Sequence, residues 1–409
     1  MAALRGPARI AYRAFRALPG PVRGVGETVL RLRAELEVRA QPTMGEASVR
    51  LLVGPTNTAG QGRQWARAVQ ERLHNVDARN LAVQGRSAVS AMAFGQDIWL
   101  SRTAQLRGLR VHRERVLGNG EGPGVTHVLS ESGRPLLGGF HTGSVLDDLP
   151  DLASRGIRTA VVFHGSDIRD PDEHAARYPH SPFREAGGPG EEYADRLREA
   201  AARGRAVARA LDGPVFVSTP DLLDVVPDAV WLPLVVDVDR FTWPVPALRG
   251  PRPVVLHAPS NPRLKGTETI ERALLALHEA GSITYRRLSG VAHADMPGFI
   301  GEADVVVDQV VLGNPGVLLA ETMAAGRLAV AHLAPDVRER MRVADPGGED
   351  PPVLEATPET VEEVVAAVAA DPPAYAPLAA RGPAWAGRNH VGSRAALVLA
   401  GWLTPLPGA

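Results

Sequence analysis

From about residue 48 onward, short unbroken apolar runs alternate with longer stretches in which apolar residues recur every three or four positions. Strands covered on both faces read as unbroken apolar runs, and the helices that cross between parallel strands keep one apolar stripe, so the pattern predicts an α/β chain. Strands are predicted at residues 49–53, 125–129, 136–140, 159–163, 215–217 and 230–231, and a second set at 254–257, 285–288, 304–307 and 328–331. Between the sets, residues 243–253 carry four prolines, which lack a ladder N–H, and this stretch is read as the connection between two sheets. Helices are marked by Trp65, Val69 and Leu73 after the first strand and by Ile270, Leu274 and Leu277 after the first strand of the second set. Thr357 is placed as the cap of a helix with Pro358 in its first turn and Val361, Val364, Val365 and Val368 on one face. Residues 391–403 are expected to form a final helix that packs back across both sheets.

A length of 409 residues suits two cores of comparable size and therefore a cleft. The expected division is a basic extension at 1–47, an amino-terminal domain at 48–243, a carboxy-terminal domain at 254–375, and a helical segment at 376–409 that returns to the first domain. With 45 basic and 46 acidic residues the chain has no global field to attract nucleic acid. The absence of cysteine excludes disulfides and thiolate metal sites. No window is long and apolar enough to span a membrane, and the expectation is a cytoplasmic protein. Arg5, Arg9, Arg13, Arg16 and Arg23 precede the first acid, Glu27. If residues 8–18 are helical, their arginines and apolar residues lie on different sides, so this segment is either a solvated lead-in helix or a peripheral contact with anionic lipid at the inner membrane face.

In open parallel sheets ligands collect beyond the carboxyl ends of the strands, which directs attention to the turns there. Gly54–Gly62 in the first turn is glycine-rich, and Asn57 and Gly60 are candidates for holding a sugar or phosphate at a helix start. The turn at 164–169 offers His164 as a hydrogen-bonding imidazole, with Asp167 and Arg169 able to orient a polar substrate. In the turn at 257–267, Arg263 and Lys265 flank a helix start beside Ser260 and Asn261, and two such cations suit a diphosphate whose negative charge grows as a bond to it breaks. The fourth turn, at 308–316, leads into an apolar helix containing Glu321; amides of Asn314, Gly316 and Val317 at its start are phosphate candidates, and a buried carboxylate there would match a ribose diol. Each turn also has a plainer reading as a self-satisfied loop.

At these residues the chain resembles the GT-B glycosyltransferases, in particular the large retaining group with an Arg, a Lys and a Glu in its donor domain. The resemblance extends over about residues 48–403. It implies two Rossmann-like domains facing across a cleft. It further implies that Arg263 and Lys265 bind the donor diphosphate, that Glu321 holds the ribose and that His164 contacts the donor sugar. The segment 217–223, then Trp231, Leu232 and Pro233, followed by Asp237, resembles the passage into the donor domain. The family often carries two glutamates with seven residues between them, and Gly313 stands at the position of the first, so the resemblance does not name the sugar. It also implies transfer with retention, the donor phosphate assisting the acceptor hydroxyl.

The expected activity is thus hexosyltransferase-like, moving a sugar from a nucleotide-diphosphate sugar, used as a co-substrate with no separate cofactor, to a glycan, lipid or small-molecule hydroxyl. No metal is expected: the triplet Asp170-Pro171-Asp172 is set aside as a metal site because it lies in the amino-terminal half, away from the cationic turn. A non-catalytic sugar-nucleotide or glycan-binding protein of the same fold, or a nucleotide-sugar epimerase or hydrolase, remains the alternative.

Overall fold

A computed structural model of the chain describes residues 20–85, 94–120, 122–184 and 190–403, apart from the side chains of residues 20–23. Two parallel sheets form its centre. The first contains β1 (Val49–Gly54), β2 (Val76–Val83), β3 (Ile98–Leu100), β4 (His127–Glu131), β5 (Arg158–Phe163), β6 (Val215–Val217) and β7 (Val230–Trp231) in the order β3-β2-β1-β4-β5-β6-β7. The second contains β8 (Val254–His257), β9 (Thr284–Arg287), β10 (Val305–Val307), β11 (Leu328–Ala331) and β12 (Val353–Glu355) in the order β12-β11-β10-β8-β9. The chain is α/β, with helices flanking two Rossmann-like sheets. In each sheet the strand order reverses beside the first strand, between β1 and β4 and between β8 and β10, and such a reversal opens a crevice at the carboxyl ends of the strands.

The apolar runs become these strands because both faces are covered. Leu51, Val53, Leu129, Ala160 and Val162 pack with Trp65 and Val69 of the helix Gln61–Arg72, and Val255, Val305, Val307 and Val330 pack with Ile270 and Leu274 of the helix Thr267–Glu279. Residues 136–140 form no strand. Leu136, Leu137 and Phe140 are buried, but the amides of Leu136 and Leu137 donate to Asp148 Oδ2 at 2.6 and 2.9 Å rather than to a neighbouring strand. β2, β3 and β12 were not read from the pattern. β2 carries Asp77, Arg79 and Asn80, whose polar groups mask its apolar alternation, and the other two span three residues each.

The helix expected from Thr357 begins at Val361, since the Thr357 hydroxyl turns to Glu359; its apolar stripe nevertheless packs as expected. Pro372–Asn389 is one helix despite Pro377 and Pro383 within it. The helix Gly392–Leu403 then returns to the first sheet, where Ala395, Ala396, Leu399, Trp402 and Leu403 pack with Trp65 and Val69. The proline-rich connection lies along the second sheet, with Ala247 and Leu248 buried and the Leu248 amide donating to Asp304. Gly20 and Pro21 open a helix, Gly20–Arg39. Arg5, Arg9, Arg13, Arg16 and the helix expected over residues 8–18 lie outside the described residues. Among the described residues no helix is long and apolar enough to cross a membrane.

Candidate functional site at the cleft

At the switch point of the first sheet, the glycine-rich turn is filled from below by the chain itself. Glu131 ends β4, is fully buried, and accepts from the amides of Thr56 (3.2 Å), Asn57 (2.7 Å) and Thr58 (3.1 Å). A carboxylate there satisfies the anion cradle that glycine-rich turns offer, so these three amides do not face a phosphate. Asn57 is likewise used internally: its side chain accepts from the Arg63 amide and donates to the Gly95 carbonyl. Gly60 does line the cleft, beside Phe94.

His164 follows β5 and stacks on Trp65, ring centroids 5.6 Å apart. Its Nε2 stands 3.4 Å from Glu131 Oε1. Burial pulls the imidazole pKa down, but Glu131 and Asp167 outweigh it and the net shift is upward. Asp167 accepts from the amides of His164 and Gly165, fixing the turn. Arg169 is buried in an ion pair with Asp221, its Nε and Nη2 donating to Oδ2 at 2.9 and 2.6 Å. Both groups are thereby occupied within the domain, rather than presented to a substrate as the sequence reading had them. Asp170 caps the helix Pro171–Arg177 and Asp172 pairs with Arg198, so the carboxylates of this triplet have separate partners.

The second switch point gathers the cationic turn and the glutamate helix. Asn261 caps the one-turn helix Pro262–Lys265, accepting from the Arg263 amide, and donates across the cleft to Tyr193 Oη at 2.9 Å. Ser260 and Arg263 are exposed. Lys265 Nζ donates to Asp308 Oδ1 at 2.5 Å, and the Val310 amide donates to the Lys265 carbonyl at 3.2 Å. Asp308 is buried at the end of β10 and its Oδ2 has no hydrogen-bond partner. A side chain on Gly316 would begin 3.3 Å from Asp308 Oδ2 and 3.4 Å from Lys265 Nζ, so the ammonium lies directly beside the start of the helix Val317–Ala324. The first-turn amides of a helix have no partner within it and favour anions. Gln309 holds the approach to that helix, accepting from the amides of Val311 and Leu312 and donating to the carbonyls of Asn314 and His332. Gly313 has φ +70°, and a Cβ there would stand 3.1 Å from that of Ala334.

One turn into this helix, Glu321 is buried and accepts from His293 Nε2 at 2.5 Å. Burial raises the Glu321 pKa against the lowering effect of His293, and the net shift is upward. The expectation that this carboxylate meets hydroxyls or amides is thus met differently within the protein, by an imidazole. His293, unnoticed in the sequence, lies in the turn that follows β9, and its ring packs 4.7 Å from Phe94 of the opposite domain. Arg240 braces it by donating to the carbonyls of His293 and Ala294. Applying the search for post-strand turns to β9 would have found it. Gly60, Arg63 and Phe94 from one domain, Asp237 and Arg240 from the passage between them, and His293, Val317 and Glu321 from the other line a single cavity.

Neither a protein-family profile nor a curated protein sequence matches the chain. Solved structures do. A sucrose-phosphate synthase from Thermosynechococcus elongatus superposes with a TM-score of 0.56 at 14% identity, covering 86% of this chain and 96% of that one. The chain has the GT-B fold. An Anabaena protein, HepE, in complex with UDP and glucose gives a TM-score of 0.53 at 13% identity over 87% of this chain and 99% of the other. An alpha-glucosyltransferase in complex with UDP and a 13-mer DNA gives 0.53 at 11% identity over 88% and 100%. At such identities a GT-B likeness speaks for the arrangement of the two sheets, and the chemistry must be argued from the cleft residues.

Proposed function

We propose that this chain is a glycosyltransferase that moves a sugar from a nucleoside-diphosphate donor to an acceptor hydroxyl bound in the cleft. One juxtaposition carries the reading: Lys265 Nζ lies beside the start of the helix Val317–Ala324, and the same helix bears buried Glu321 on the wall of the cavity. A diphosphate against Lys265 and the first-turn amides meets positive charge from both, and Arg263, on the same one-turn helix, adds a second cation. The donor ribose then falls toward Glu321, whose carboxylate exchanges His293 for a diol. The GT-B neighbour solved with UDP and glucose supports a nucleotide-sugar donor.

In the proposed reaction the bond from the sugar C1 to the diphosphate oxygen breaks, the acceptor oxygen bonds to C1 on the same face, and the acceptor proton passes to the departing phosphate. The leaving charge is held by Lys265 and Arg263, with no metal required. Glu131, which fixes both the first loop and the His164 imidazole, shapes the opposite wall. The acceptor is a glycan, lipid or small-molecule hydroxyl. A panel of nucleotide sugars tested for protection against thermal unfolding identifies the donor, because a ligand of the folded state alone raises its stability. Nucleoside diphosphate should then appear only when an acceptor is added. Release without acceptor would indicate a hydrolase, and protection without turnover a binding protein.

A further inference from the structure

The helix Gly20–Arg39 packs on the first domain through Ala34 and Val38, which are buried, yet its other side carries a row of large apolar residues in water. Val25, Val29, Leu32 and Leu36 are 66, 57, 51 and 66% exposed. Their spacing of four, three and four residues places them within a narrow arc opposite Ala34, a straight stripe about 16 Å long. Such a stripe on a monomer surface calls for a covering partner. Leu106, 66% exposed, stands on the helix Arg102–Arg107 that packs beside it.

Charge decides among the partners. Residues 24–39 and 102–117 together hold eight arginines and four glutamates, whereas the rest of the chain holds 37 basic and 42 acidic residues. The acids of this face are already paired: Glu27 with Arg107, Glu35 with Arg31 and Arg110, and Glu114 with Arg110, while Glu37 accepts from Ser101. Arg33 and Arg39 are exposed on the same helix, on either side of the stripe's axis. A second copy of this chain would oppose arginine to arginine. Residues 1–19, which carry four arginines and no acid, would do the same if they folded onto it. An anionic lipid surface instead accepts the apolar stripe at its acyl boundary and the arginines at its headgroups.

We propose that the exposed stripe of the helix Gly20–Arg39, flanked by its arginines, docks this protein on anionic membrane surfaces. The cleft lies at the carboxyl ends of the strands and is not part of this face, so docking and donor binding are separable. The stripe contributes buried apolar area and the arginines contribute screened attraction, so binding weakens in salt.

The test is co-sedimentation of the full chain with vesicles of phosphatidylglycerol and phosphatidylcholine, against vesicles of phosphatidylcholine alone. The wild-type protein should pellet with the anionic vesicles only. Leu32→Ser/Leu36→Ser and Arg33→Glu should each lower the bound fraction at least tenfold, with an unchanged melting temperature, since all three side chains are exposed. Pelleting that these variants leave intact would overturn the proposal. So would a wild-type protein that ignores anionic vesicles, whether because light scattering finds a dimer dissociated by Leu32→Ser/Leu36→Ser or because only a chain lacking residues 1–19 pellets.

Discussion

Individual side chains in this cleft are placed mainly by buried carboxylates. Asp308 aims Lys265, Glu131 holds the first loop, and Glu321 is matched by His293. Removing the ammonium should therefore affect both chemistry and folding, because Asp308 is left buried without its partner. Lys265→Ala is expected to lower turnover about a hundredfold or more and, by leaving the Asp308 carboxylate buried without its cation, to cost about 3 kcal/mol of stability, whereas Lys265→Arg should keep most of the stability. Equal turnover in Lys265→Ala and wild type would defeat the leaving-group assignment. Glu131→Ala strands three amides and deprives His164 of its partner. It should cost on the order of 3 kcal/mol of stability in a denaturant titration. Gly313 answers the question left by the missing glutamate. With φ +70° and Ala334 against it, the position disfavours any side chain, so Gly313→Glu should destabilise by about 1–2 kcal/mol rather than add a sugar contact. Lys265, Glu321 and Gly313 were visible in the sequence as residues, but their partners were not, since Asp308 and His293 lie 43 and 28 positions away along the chain.

At the scale of elements, the strands legible in the sequence were those with unbroken apolar runs, such as β1, β5 and β11. β2 was hidden because Asn80 turns its side chain to the Asp97 amide while Asp97 accepts from the Asn80 amide, a polar exchange inside a buried strand. Residues 136–140 had the composition of a strand and lacked a neighbour, so Asp148 took the amides. The two helices at the carboxy terminus tie the domains together. Gly382 lets Pro372–Asn389 approach the helix bearing Glu321, since a Cβ there would stand 2.5 Å from the Met323 carbonyl oxygen. Gly382→Ala should cost about 1–3 kcal/mol and, by shifting that helix, should also weaken donor binding, as measured by the thermal protection a bound donor gives. Leu399→Ala, in the fully buried row of the final helix, should cost about 2–5 kcal/mol with the donor site intact.

The whole molecule is held across the cleft by polar contacts as well as by these helices. Arg340 of the second domain pairs with Asp224 of the first, and Arg177 bridges Asp224 and Asp336. His174 Nε2 donates to the Leu312 carbonyl of the other domain, and its Nδ1 accepts from the Ser181 hydroxyl. Burial lowers the pKa values of His112, His127, His174 and His390 to about 4. A histidine whose pKa is lower folded than unfolded contributes stability above about pH 6.5 and loses it as pH falls toward 4, because the unfolded chain then binds the extra proton. Asp148, raised to about 6 by burial, acts in the opposite direction, as do His164 and Glu321, whose shifts are upward. Four groups at about 4 should prevail, so the melting temperature should fall between pH 6.5 and 4.5. His174→Gln should flatten part of that fall, and a profile with no decline across the window would contradict the buried neutral state of these rings.

The sequence by itself determined the two parallel sheets, their separation at the proline-rich connection and the return of the last helix, because periodicity and proline chemistry are local properties. It also marked Lys265 and Glu321, since a cation at a helix start and an acid in an apolar helix stand out from their neighbours. Only the tertiary structure decided which amides were free and which carboxylates already had partners. The glycine-rich loop was closed by Glu131 from a strand 74 residues away, and among the described residues the apolar stripe of the helix Gly20–Arg39 stayed exposed, because burial and pairing depend on what the rest of the chain brings to each surface.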